Sequence, residues 1–84
     1  MIPPIINTLG YFYYGIGEKD KAKSHFDEYL NLYKSYNSYD SMGEFYYNEE
    51  DMENALKYYK KAIEMYPSAS SANSMVNRIT NQQN

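Results

Sequence analysis

The sequence predicts an all-α chain: two antiparallel helix–turn–helix units followed by one closing helix. Three observations predict it. The first half recurs in the second, with Leu9-Gly10 matched by Met42-Gly43, Tyr13 by Tyr46, Ala22 by Ala55 and Phe26 by Tyr59, all at an offset of 33 residues. Prolines and glycines at Pro3-Pro4, Gly15-Ile16-Gly17 and Pro67 divide the chain into segments of helical length. Beyond Pro67 a narrow apolar stripe, Ala72, Met75, Val76 and Ile79, stands alone at helical spacing.

Taken in order, the first helix opens at Pro3-Pro4, since proline is tolerated in a first turn, and ends at Gly15-Ile16-Gly17. Asp20 lies near the start of the second, where its charge favours the helix dipole. That helix carries Ala22, Phe26, Tyr29, Leu30 and Tyr33 on one side. Residues 35–38 read as a turn of small polar residues around Tyr36, so the third helix is expected from Ser38 to Tyr47. Asn48-Glu49-Glu50-Asp51 is the next turn, with Asp51 as N-cap of the fourth helix. Pro67 ends the fourth helix. The fifth, about residues 69–82, is a cap with a polar outer face, as a terminal repeat needs for solubility. The first unit spans about 3–35 and the second about 36–68 of a single domain, 1–84.

Gly10 and Gly43 fall inside helices, where glycine costs about 1 kcal/mol against alanine. That cost is understood if something must approach closely. Ala22 and Ala55 are expected to serve the same close crossing from the second helix of each pair. Tyr13, Phe26, Tyr46 and Tyr59 then fill the surrounding core.

These residues carry a family resemblance. The second unit reads Tyr39-x2-Met42-Gly43-x2-Tyr46, Ala55-x3-Tyr59, Ala62 and Pro67. The first reads Ile6-x2-Leu9-Gly10-x2-Tyr13 and Ala22-x3-Phe26, with Tyr29 and Lys34 where the second has Ala62 and Pro67. The pattern resembles the tetratricopeptide repeat, W-x2-L-G-x2-Y, A-x3-F, P. The resemblance implies a right-handed solenoid with a concave groove for an extended peptide, and a protein–protein interaction module rather than an enzyme. It also suggests two alternatives: an accessory domain of the kind that follows the catalytic domain in some bacterial serine hydrolases, or a self-associating scaffold.

Composition narrows the chemistry. With no cysteine, disulfides and thiolate sites are excluded. The net charge is −3, and the small group Lys57, Lys60 and Lys61 is no basic stripe, which speaks against nucleic acid. Glu53 and Glu64 bracket those lysines at helical spacing, so a solvated face with weak ion pairs is expected. No apolar run is long enough to span a bilayer. The start lacks a basic region and breaks on two prolines, unlike a signal peptide. Localisation stays open: cytoplasmic by default, exported if the sequence belongs to a longer secreted protein.

Candidate chemistry is sparse. His25 is the sole histidine, and Asp27 and Glu28 are not expected to converge with it, so it reads as a partly buried helix residue. Glu49, Glu50, Asp51 and Glu53 lack the alternation and central glycine of a calcium loop. Gly10, Gly15 and Gly17 lack the preceding strand and the Gly-Lys-Ser/Thr of a phosphate loop. No metal, cofactor or catalytic residue is expected.

Tyrosine, at 12 of 84 residues, is the compositional oddity. Its ring and hydroxyl suit surfaces packed on one side and wet on the other. The resemblance places Asn7, Tyr11, Tyr14, Asp40, Glu44, Tyr47 and Asn73 on the ligand groove, with Ser41, Ser70 and Ser74 beside them. Family members that hold acidic chaperone tails use lysine, asparagine and arginine there. Here the basic members are expected to be missing, so a neutral or basic segment is favoured. Met1 to Gly17 carries no charged side chain. Ile2, Ile5, Ile6 and Phe12 are therefore expected to mediate self-association, as a homodimer, or packing on an upstream domain, because a helix apolar all round is normally buried all round.

Overall fold

The computed structural model describes residues 3–82, with side chains from residue 6 onward. Among these the chain forms five helices and no strand: α1 (Pro3–Gly15), α2 (Lys19–Leu32), α3 (Tyr36–Asn48), α4 (Met52–Met65) and α5 (Ser70–Gln82). α1 packs on α2 and α3 on α4; α2 meets α3, and α4 meets α5. Two hairpins and a closing helix therefore stack in chain order.

The mid-helix glycines are ring seats. A Cβ built on Gly10 would lie 2.7 Å from Phe26 Cε1, and one on Gly43 would lie 2.8 Å from Tyr59 Cδ1. Both rings are buried, Phe26 at 1% and Tyr59 at 2% exposure, so neither can swing aside. The nearest atoms belong to an aromatic face from the second helix, and Ala22 and Ala55 on that helix are fully buried. One core cluster joins Ala22, Phe26, Met42 and Phe45 across α2 and α3. The other joins Ala55, Tyr59, Ala62, Ala72 and Ile79 across α4 and α5.

Asp51 caps α4 as expected, accepting from Asn54 N at 3.2 Å. The expected turn at 35–38 does not form. α3 starts two residues earlier than predicted, at Tyr36, because Ser35 and Ser38 make a reciprocal cap. The Ser35 side chain accepts from Ser38 N, and Ser38 Oγ accepts from Ser35 N at 3.0 Å. This is a capping box with serine in the place usually held by glutamate or glutamine.

α1 corrects the expectation of an all-round apolar surface. Ile6 is 1% exposed and belongs to the core, so its side chain offers no surface for self-association. Phe12 and Ile16 remain open, at 56% and 58%. Ile2 lies outside the described residues, as does the side chain of Ile5. Tyr13 and Tyr46 are half-buried and pack against the edge of the core, whereas Tyr59 is fully enclosed.

Candidate ligand-binding face

The first helix of each unit and the closing helix share one face, and hydrogen bonds tie its α1 and α3 parts together. Ser41 Oγ donates to Asn7 Oδ1 at 2.8 Å, and the Tyr11 hydroxyl donates to Glu44 Oε2 at 2.8 Å. Tyr11 also sets its ring edge-on against Phe26, with centroids 4.9 Å apart. Burial, with a further contribution from the Glu44 carboxylate, pushes the Tyr11 hydroxyl well above its ordinary range, although its contact with Ser41 works the other way. The Tyr11 proton therefore stays on at any physiological pH.

Between α3 and α5 the face opens into a cavity of about 320 Å³. Asp40, Glu44 and Tyr47 line it from α3, Tyr59 from α4, and Met75 and Arg78 from α5. The i, i+4 spacing of Asp40 and Glu44 puts both carboxylates on one side of α3. Burial and then the Glu44 charge push Asp40 up to about 6. Its Oδ1 is buried without a hydrogen-bond partner. The Tyr59 hydroxyl is raised by burial first, and then by Asp40 and Glu44.

Of the sequence-predicted groove residues, Asp40, Glu44 and Tyr47 meet in this cavity, and Asn7 and Tyr11 extend the same face toward α1. Tyr14 and Asn73 are employed elsewhere. The Tyr14 ring packs edge-on against Phe45, and its hydroxyl donates to Glu49 Oε2 at 2.7 Å. Lys19 Nζ stands 3.2 Å from the same oxygen. Burial, then Glu49, raises the Tyr14 hydroxyl to about 12. The Tyr14 bond in turn holds Glu49 below its usual range, assisted by Lys19 and opposed by partial desolvation. This cluster locks the two interhelical turns together. Asn73 Nδ2 donates to the carbonyls of Pro67 and Ala69, tying the start of α5 to the loop before it.

Sequence reasoning missed Arg78. A single arginine in an otherwise polar helix gives no signal until the register of α5 is known. His25 lies parallel to the Tyr13 ring, 3° apart at a centroid distance of 5.3 Å. Contrary to expectation, Glu28 comes within reach of it, Oε1 at 4.0 Å from Nδ1, because residues three apart are neighbours on a helix. The Lys57 ammonium lies over the Tyr58 ring, 5.4 Å from its centroid. Among the described residues no group of His, Asp and Glu is arranged to hold a metal ion, and no helix is long and apolar enough to cross a membrane.

A family model described as tetratricopeptide repeat matches the chain twice, over residues 3–36 and 36–68. No curated protein matches it.

Proposed function

The chain belongs to the tetratricopeptide repeat family, and from that premise we propose that it is a protein-interaction module that lays an extended segment of a partner along the face of α1, α3 and α5. Such repeats mediate protein–protein contact, and the family is typically non-catalytic. The observation that carries the reading is the open cavity on this face, walled by tyrosine and methionine and carrying two carboxylates. Aromatic walls supply anchoring area at low entropic cost. The carboxylate wall favours a neutral or basic segment, and Arg78 is the one cation among the residues lining the cavity.

The test is selection of random-sequence peptides on the immobilised protein. Selected peptides are expected to lose binding to a Tyr47→Ala variant and to keep it with Lys57→Ala, which lies off this face. Acidic tail peptides are expected to bind no better than scrambled controls. Selection that is indifferent to Tyr47, or dominated by acidic peptides, refutes the reading.

A second reading, self-association, is favoured by one feature: Phe12 and Ile16 expose more than half of their surface on the open side of α1. Phe45, at the position in α3 that matches Phe12, is only 6% exposed because Tyr14 and Phe26 cover it. A homodimer, or an upstream domain, would supply the missing cover for Phe12. Sedimentation across micromolar concentrations decides it. A monomer throughout, unaltered by Phe12→Lys, sinks this reading and leaves the first untouched.

A further inference from the structure

The face contains two junctions between successive first helices, and comparing them position by position shows what the cavity lacks. Asn73 N bonds Ala69 O as Tyr39 N bonds Ser35 O, which sets the register of α5 on α3. Met75 then stands where Ser41 does, Arg78 where Glu44 does, and Ile79 where Phe45 does. Burial agrees, since Ile79 and Phe45 are both enclosed, as are Ala72 and Ser38.

At the α1–α3 junction every position is satisfied. The Tyr11 ring covers Phe26, its hydroxyl bonds Glu44, and Asn7 bonds Ser41. At the α3–α5 junction Glu44 takes the place of Tyr11, and Tyr59 that of Phe26. The carboxylate is too small to reproduce the ring, and the cavity opens there. Asp40 takes the place of Asn7, but the residue opposite is Met75, whose thioether donates no hydrogen bond. Asp40 Oδ1 is left buried and unpartnered. An unmet buried acceptor is costly, more so when charged.

We propose that this cavity is the seat of one lysine or arginine side chain from the bound segment. The aliphatic stem would occupy the space over Tyr59 that the Tyr11 ring fills at the other junction, and the cationic head would meet Asp40 and the free oxygen of Glu44. The proposal rests on the interaction reading above and names what that face selects. A neutral apolar side chain would fill the space but leave the Asp40 charge unmatched. An anion drawn to Arg78 would face two carboxylates across the cavity. Arg78 is itself exposed and is free to turn outward as a cation enters.

The test is an NMR titration of the intact chain with three blocked amino acids: Nα-acetyl-lysine N-methylamide and its norleucine and glutamate counterparts. The lysine probe is expected to shift amides around Asp40 and Arg78 and to bind at least about fivefold tighter than norleucine, with glutamate producing no shift. Asp40→Asn, a near-isosteric change, should bring lysine down to the norleucine level. Arg78→Gln should tighten lysine severalfold. Equal binding of lysine and norleucine overturns the proposal, as does glutamate binding that Arg78→Gln abolishes. Peptides selected on this face without a lysine or arginine preference overturn the seat and leave the interaction reading standing. A lysine response at Asp40 with no peptide engaging the face supports the seat and refutes the wider reading.

Discussion

The two turns that join the paired helices follow one backbone path and divide its costs in opposite ways. After α1, Gly17 adopts φ 85°, and the amides of Gly17 and Glu18 return to the carbonyls of Tyr14 and Tyr13. After α3, Glu50 adopts φ 63°, and the amides of Glu50 and Asp51 return to Tyr47 and Tyr46. Both are Schellman endings. In the first turn glycine takes the left-handed position without strain, but the N-cap of the next helix is Glu18, whose side chain makes no cap bond. In the second a glutamate bears the left-handed strain, and Asp51 caps the next helix through Asn54. One geometry is thus reached from two sequences, each good where the other is poor. A repeat match alone does not reveal which half of a turn is stable.

The largest test of this equivalence lies in the ring seats. Gly10→Leu and Gly43→Leu should each destabilise by about 1–3 kcal/mol, because the new side chain meets a buried ring. Thermal melts of both variants measure it. A large loss in one and none in the other would show that the two hairpins are not packed alike.

The next test concerns the junctions on the binding face. Asp40 is held at about 6 instead of 3.8, so the folded state binds its proton more tightly than the unfolded state does. Its destabilising contribution is absent below about pH 4, grows as pH rises through the window, and is complete above about 6. Two units would amount to roughly 3 kcal/mol; solvent screening at this partly open site reduces that to about 1–2 kcal/mol. Asp40→Asn should therefore stabilise the fold by about that amount at pH 7 and by little at pH 4, as read by urea denaturation at both values. Glu49 works in the opposite sense, since its lowered carboxyl loses stabilising contacts on protonation. The difference between parent and variant isolates Asp40. Met75→Ser should give Asp40 the kind of partner that Ser41 gives Asn7 and should shrink the same difference.

Changing the capping position of each turn gives smaller effects. Asp51→Ala should cost about 1 kcal/mol through loss of the cap, while Glu18→Ala should cost almost nothing, since no cap bond exists to lose. Smallest of all, Glu50→Gly should stabilise by about 0.5 kcal/mol, because relief of left-handed strain is partly offset by the greater freedom of the unfolded glycine. Equal responses from Glu18 and Asp51 would break the contrast between the turns.

Much of this was legible in the chain because the signals are local. Pro67, Asp51 and the paired Gly10 and Gly43 mark helix ends and close contacts through their own backbone chemistry. The start of α3 is hidden in the sequence because Ser35-x-x-Ser38 is a weak version of a cap usually written with glutamate. Tyr14 and Tyr47 occupy matching positions in α1 and α3, yet one bonds a turn carboxylate and the other lines a cavity. The difference lies in their neighbours, Glu49 and Phe45 for Tyr14, and these come from elsewhere in the chain.

The sequence by itself determined the five helices, their pairing and the family, because helical spacing, caps and a repeated ring-and-glycine pair act within or between adjacent helices. Only the tertiary structure decided which side of α1 is buried. Its apolar residues encircle the helix, and although Ile6 opens the repeat pattern and Phe12 lies outside it, only the position of the neighbouring helices leaves Ile6 buried and Phe12 open. Tertiary structure also decided that Asp40 has no partner and that Arg78 shares its cavity. Both depend on the register of α5 against α3, which is set by packing across the stack and by the Asn73 tie to the preceding loop.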